Sequence, residues 1–77
     1  MKAKDLKIGI VYDNDRGHER IIIAFGAQYV LYQGQQETDN LRYKVVKGDK
    51  FGRNAIGTEH NCTRKAFAKW AGWYYTI

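Results

Sequence analysis

The most chemically capable side chains of this sequence lie between residues 47 and 65, in KGDKFGRNAIGTEHNCTRK. His60 and Cys62 stand two positions apart, a spacing at which a histidine and a cysteine can share a metal ion or form an activated thiolate. A structural zinc site needs about four ligands, and this pair supplies two. A surface histidine and a small buried thiol are the simpler interpretation, so we predict neither a metal site nor a catalytic residue.

Glycines in the same segment raise the question of phosphate binding. A nucleotide-binding P-loop has the pattern GxxxxGK[ST], but in GRNAIGT (52–58) Thr58 stands where lysine is needed. A simpler anion site stays open at the start of the following helix, where N–H groups would lie beside Arg64 and Lys65. The chain contains no serine, which excludes serine nucleophiles. We therefore expect a non-enzymatic protein that uses no cofactor.

Charge is distributed unevenly along the 77 residues. Residues 41–77 contain eight basic and two acidic side chains, a net charge of +6, whereas residues 1–40 contain five basic and six acidic ones, a net charge of −1. Such asymmetry favours an anionic partner, although a basic face can equally serve only to keep a small protein in solution. The candidate binding residues are Arg42, Lys44, Lys47, Lys50, Arg53, Arg64, Lys65 and Lys69.

Two classes of anionic partner fit this pattern. Basic and aromatic residues are interspersed in LRYKVVKGDKFGR (41–53), which suits phosphate contacts combined with stacking of a base on an exposed ring such as Phe51. The same charges would attract an acidic protein, and the aromatic ending WYYTI would supply interface anchors. We rank nucleic acid or the machinery that handles it first, and an inhibitor or adaptor on an acidic protein second. DNA and RNA stay equally open, as do a monomer and a small homo-oligomer.

Hydrophobic periodicity predicts four strands before the helix. Two of them alternate apolar and polar residues, and the other two are apolar on both faces. Short turns would join them into an antiparallel meander, bent or closed into a small barrel. Residues 47–62 are then a long loop. The predicted strands are residues 7–12, 19–25, 28–33 and 41–47.

Helical spacing follows in TRKAFAKWA (63–71). Phe67 and Trp70 share one face of such a helix, Asn61 or Thr63 would cap its start, and Gly72 follows its end. The last residues, WYYTI (73–77), predict a short strand that returns to the sheet. We therefore expect one α+β domain over residues 1–77, with a small strongly bent antiparallel sheet or SH3-like barrel of four to five strands and one helix near the C-terminus.

The order GIVY, RIIIAF, YVLYQ, LRYKVV and then a cysteine with FAKWA resembles small proteins encoded by tailed phages and prophages. The resemblance covers most of the chain but carries over no catalytic residue. It implies an SH3-like barrel that ends in an F-x-x-W-A helix, and a protein that acts on nucleic acid or proteins of a host. The matching positions are those expected of a core: Tyr12, Ile22, Tyr29, Tyr32, Tyr43, Phe67 and Trp70.

Three further features concern location. An uninterrupted apolar run of about 18 residues, as a membrane span requires, is absent from the sequence. The beginning, MKAKDLKIG, lacks the apolar core of a signal peptide. A single cysteine allows no internal disulfide. We expect a cytoplasmic protein with no membrane partner.

Overall fold

A computed structural model describes residues 1–36 and 38–76, with only the backbone of Thr76. It confirms the predicted α+β class. A short 3-10 helix at Ala3–Asp5 precedes the first strand. The remaining elements are strands β1 (Ile10–Asp13), β2 (Glu19–Phe25), β3 (Asn40–Lys47) and β4 (Glu59–Thr63), helix α1 (Arg64–Trp70) and strand β5 (Trp73–Thr76).

The strands form a single open sheet in the order β4-β3-β2-β1-β5, and all neighbours are antiparallel. β5 returns beside β1, as the ending of the sequence predicted, although Ile77 lies outside the described residues. β4 and β5 are the two edges and do not pair with each other. The sheet is therefore not closed, and the barrel expected from the resemblance is not formed.

The strand predicted at residues 28–33 is wrong. These residues form turns instead, with Tyr29 N–H donating to Gly26 O at 3.2 Å and Gln35 N–H donating to Tyr32 O at 3.3 Å. β3 occupies the place beside β2 that this segment was expected to fill, because Phe25 pairs with Leu41. Apolar and β-branched residues favour a strand only where a neighbouring strand and a covering layer are present.

The predicted loop at residues 47–62 is wrong at its end, where β4 begins at Glu59. Its sequence EHNCT looks polar, but its inward positions are Cys62 opposite Leu41 and His60 opposite Tyr43. Edge strands need only one apolar face and are often short and polar on the other. Because apolar and polar residues alternate only weakly in this segment, the strand could not be recognised from the sequence.

Helix α1 covers one face of the sheet. The Phe67 ring is buried against the edges of Tyr12 and Tyr43, with ring centroids 5.4 and 5.7 Å apart. Thr63 caps the helix as predicted, because its hydroxyl accepts from Ala66 N–H at 3.1 Å. The buried core comprises Leu6, Tyr12, Ile22, Leu41, Tyr43, Val45, Phe67, Ala68 and Ala71.

The other face of the sheet carries no helix among the described residues. Because side chains alternate along a strand, the residues between the buried positions of β3 project to this open face. The exposed apolar residues of this face include Ile23, Trp73 and Tyr75. None of the helices within residues 1–36 and 38–76 is long and apolar enough to span a membrane.

Candidate basic binding surface

Antiparallel pairing brings three segments to one end of the sheet. The β1–β2 turn meets the β3–β4 loop there, because Glu19 pairs with Lys47 and His18 Nε2 lies 3.4 Å from Asp49 Oδ1. The end of α1 joins them through the following Gly72, whose N–H donates to Asp13 O at 2.7 Å. We call residues 14–20, 47–58 and 69–70 the basic end.

The β3–β4 loop has a defined backbone structure. Asp49 N–H donates to Asn54 O at 2.8 Å, and Gly57 N–H donates to Val45 O at 2.8 Å. Gly48 passes so close to the returning chain that a Cβ on it would lie 2.2 Å from Asn54 O. These contacts hold the loop in one shape, so its surface side chains are presented from a fixed support.

The tip of this loop presents an exposed aromatic ring. The Phe51 side chain is 84% exposed, far more than any buried core ring. Lys50 and Arg53 are close to it in the chain and are also exposed, and Arg53 lines a cleft with Arg42 and Glu59. A large apolar side chain that an ordered loop holds in water is a common feature of contact surfaces.

A cleft lies between the β1–β2 turn and the end of the helix. Its volume is about 350 Å³, and it is lined by Asn14, Arg16, Lys69 and Trp70. The cleft thus combines two cations with the accessible part of one half-buried indole. Arg16 belongs to the half of the chain with net negative charge, so charge counting along the sequence missed it.

Arg20 is the second basic residue that sequence reasoning missed. Its guanidinium lies between two rings, 4.1 Å from the Trp70 centroid and 4.5 Å from that of Tyr43, and it donates to Asn54 Oδ1 at 3.1 Å. Burial lowers the pKa of Arg20, and the nearby Arg53 charge lowers it further. Its Nε has no hydrogen-bond partner among the described residues. Arg20 therefore braces Trp70 and adds positive charge below the surface.

The surface cations at this end outnumber its acids, Asp15, Glu19 and Asp49, of which Glu19 lies in register with Lys47. Within the described parts of the chain, ion pairs form between Arg42 and Glu59 and between Arg64 and Asp39, and the imidazole of His18 contacts the carboxylate of Asp49. The five surface cations of the basic end belong to none of these pairs. They are Arg16, Lys47, Lys50, Arg53 and Lys69.

Two predicted site residues lie instead on the open face of the sheet. Arg42 Nε is 3.0 Å from Glu59 Oε1, and Arg42 Nη1 donates to Asn61 Oδ1 at 2.9 Å. Lys44 is exposed and pairs in register with Glu59. Arg42 is thus held by strand β4, and Glu59 offsets much of the charge that these two residues bring.

The remaining two predicted residues lie at the opposite end, where α1 begins. Arg64 Nε is 2.8 Å from Asp39 Oδ1, and its guanidinium lies 3.7 Å from the centroid of Phe25. Lys65 is exposed beside it. The first N–H groups of the helix already have partners, Asp39 O for Arg64 and Thr63 Oγ1 for Ala66. This occupancy argues against the helix-start anion site considered from the sequence.

His60 and Cys62 lie on the inward face of β4. His60 Nε2 is 3.0 Å from Thr58 Oγ1, and the His60 ring packs against Tyr43 at 5.6 Å. Burial raises the pKa of the Cys62 thiol to about 11, which disfavours the nucleophilic thiolate. Within residues 1–36 and 38–76, no three metal-ligating side chains cluster.

No family model, curated protein or solved structure matches this chain. The resemblance to phage proteins therefore stays a prediction.

Proposed function

We propose that the protein is a non-enzymatic binding protein that holds nucleic acid at its basic end. One observation carries this proposal. Five surface cations from three separate chain segments lie at the same end of the sheet as the exposed Phe51 and the half-buried Trp70, and none of them forms an ion pair with a described residue. Unpaired cations repel one another, so bringing them together costs stability unless an anionic partner is bound.

The arrangement suits a phosphate backbone better than a single small anion. The cations are spread over a turn, a loop and a helix end, which matches a ligand with regularly repeated charges. Exposed or half-buried aromatic rings among them provide surfaces on which bases stack. If the phage resemblance holds, the ligand would be host nucleic acid or nucleic acid bound by host machinery.

Binding to fluorescently labelled oligonucleotides tests this proposal. The probes are single-stranded DNA, single-stranded RNA and duplex DNA of mixed sequence, measured by anisotropy between about 50 and about 200 mM salt. Five phosphate contacts predict that the logarithm of affinity falls with the logarithm of salt concentration with a slope of roughly −3 to −5. Lack of binding to all three probes at the lower salt concentration would overturn the proposal.

The open face of the sheet favours a second candidate, docking on an acidic protein. Trp73 and Tyr75 lie side by side there with ring centroids 5.6 Å apart, and Ile23 is also exposed. Aromatic residues of this kind anchor protein interfaces, and Lys44 would add charge complementarity. A protein of this type would bind no oligonucleotide. Trp73→Ala would abolish its activity in the cell. Triple substitution of basic-end cations would only slow its association with the acidic partner protein.

A further inference from the structure

We propose that Phe51 stacks on an unpaired base and makes the basic end selective for single strands over duplexes. This inference rests on the proposed function and adds the form of nucleic acid that the site takes. The aromatic rings of the chain differ sharply in their exposure to solvent. Tyr12, Tyr43 and Phe67 are at most 2% exposed, whereas Phe51 is 84% exposed.

The backbone around Phe51 forms a defined turn at the tip of the loop. Gly52 follows it with φ of +87°, a conformation that reverses the chain and that other residues rarely adopt. Ala55 N–H donates to Gly52 O at 3.1 Å, which closes the turn at the tip of the loop. The turn therefore places Phe51 on the surface of an ordered loop before any ligand arrives, so little backbone entropy is lost when the ring makes a contact.

Charge around the ring indicates which partner it meets. Lys50 and Arg53 are close to Phe51 in the sequence and are free of ion pairs within the described chain. The nearby acid, Asp49, faces His18 at 3.4 Å. A ring with exposed cations close by in the same loop suits an unpaired base with its neighbouring phosphates, whereas an apolar pocket on a protein would gain nothing from these charges.

The same geometry works against a duplex. Base faces in a duplex are covered by their neighbours, so a ring reaches them only by unstacking a step, which costs a few kcal/mol. In a single strand the faces are available without that cost. Phe51 thus contributes to single-strand binding and little to duplex binding, where only the cations act.

The test compares three variants on single-stranded and duplex DNA probes. Phe51→Ala should weaken single-strand binding by between about fivefold and about a hundredfold, the usual range for loss of one stacked base. Duplex affinity and the salt slope should change little, because no charge is removed. Phe51→Trp should bind single strands at least as tightly as the wild type, since a larger ring stacks better.

Ile8→Ala is the control, because Ile8 is an apolar residue that is 56% exposed, carries no ring and lies before β1, outside the basic end. It should bind both probes as the wild type does. Equal single-strand binding by wild type and Phe51→Ala would overturn this inference but leave the proposed function standing if the predicted salt slope is seen. Equal losses on single strand and duplex, or a wild type that prefers duplex, would also overturn it. A wild type that binds neither probe would overturn both proposals.

Discussion

The two ends of the sheet differ in whether their basic residues have ion-pair partners. At the far end, which comprises residues 34–36, 38–39 and 63–65, Arg64 is neutralised by Asp39 and packs on Phe25. At the basic end, five surface cations have no such partner within the described chain. The far end uses charge to hold the chain together, and the basic end leaves charge available.

This difference shows what a charge count along a sequence can hide. The excess of positive charge in residues 41–77 is real, but Arg42 and Arg64 are committed to carboxylates of the same chain. Arg16 and Arg20, which belong to the half of the chain with net negative charge (residues 1–40), lie at the basic end instead. A binding surface is therefore defined by unpaired charge in space.

Charge reversal should separate the two ends most strongly. Replacing Lys50, Arg53 and Lys69 together by Glu removes three phosphate contacts and adds repulsion, so single-strand affinity should fall by about a hundredfold at low salt. The salt slope should also become shallower by roughly 2. Anisotropy titrations at several salt concentrations measure both quantities.

A control for this experiment changes the net charge equally at distant positions. Lys2, Lys4 and Lys65 are exposed and lie outside the basic end, so their joint replacement by Glu should weaken binding only slightly and preserve the slope. If both triple variants lose the same affinity, net charge rather than the basic end determines binding, and the comparison fails.

A glycine-to-alanine change at each end tests how firmly each loop is built. At Gly48 the added Cβ would lie 2.2 Å from Asn54 O, so the β3–β4 loop must shift, at a cost of about 2 to 3 kcal/mol. At Gly34 there is open space but φ is +83°, so the cost should be about 1 kcal/mol. Urea unfolding measures both, and only Gly48→Ala should also weaken oligonucleotide binding. Equal effects would show that the β3–β4 loop is not held as described.

Matched arginine substitutions should separate stability from binding. Arg64→Gln loses the ion pair with Asp39 and the contact with Phe25, and its free energy of unfolding should fall by about 1 kcal/mol with binding unchanged. Arg53→Gln should unfold like the wild type and bind several-fold more weakly. Urea unfolding and anisotropy on the same preparations check both statements. A weaker-binding Arg64→Gln would place part of the site at the far end.

The smallest effect concerns the thiol of Cys62. Its pKa is raised from 9.0 to about 11 by burial, so the folded state keeps the proton while the unfolded state loses it. The contribution of the Cys62 thiol to the free energy of unfolding is therefore full below pH about 9 and is lost as pH rises toward about 11. The difference in free energy of unfolding between wild type and Cys62→Val should follow this course.

Arg53→Gln should raise the pKa of Cys62 slightly, because the Arg53 charge lowers it, whereas Arg64→Gln should leave it unchanged.

Strong periodicity made much of the fold predictable. Residues 19–25 and 41–47 showed the strand pattern, and the helix with its Thr63 cap followed from spacing and cap chemistry. Residues 28–33 showed an equally strong apolar pattern and are turns, because β3 takes the place beside β2. Strand order is a property of the whole sheet, and local composition does not contain it.

The candidate site was predictable only in part. Lys47, Lys50, Arg53 and Lys69 come together at the basic end as part of the predicted set, but Arg64 and Lys65 lie at the other end. The direction of α1 separates them, because the helix runs from the far end to the basic end. The predicted set followed chain position, and the antiparallel sheet instead joins a turn near residue 16 to a loop near residue 51.

The most direct test of this account is a ¹H–¹⁵N correlation spectrum recorded during titration with single-stranded DNA. The account predicts that amide shifts concentrate in residues 14–20, 47–58 and 69–70, that Phe51 is among the largest, and that the shifts diminish as salt is raised. Residues 34–36 and 63–65 should change little. Shifts centred on Arg64 and Lys65, or no shifts at low salt, would contradict it.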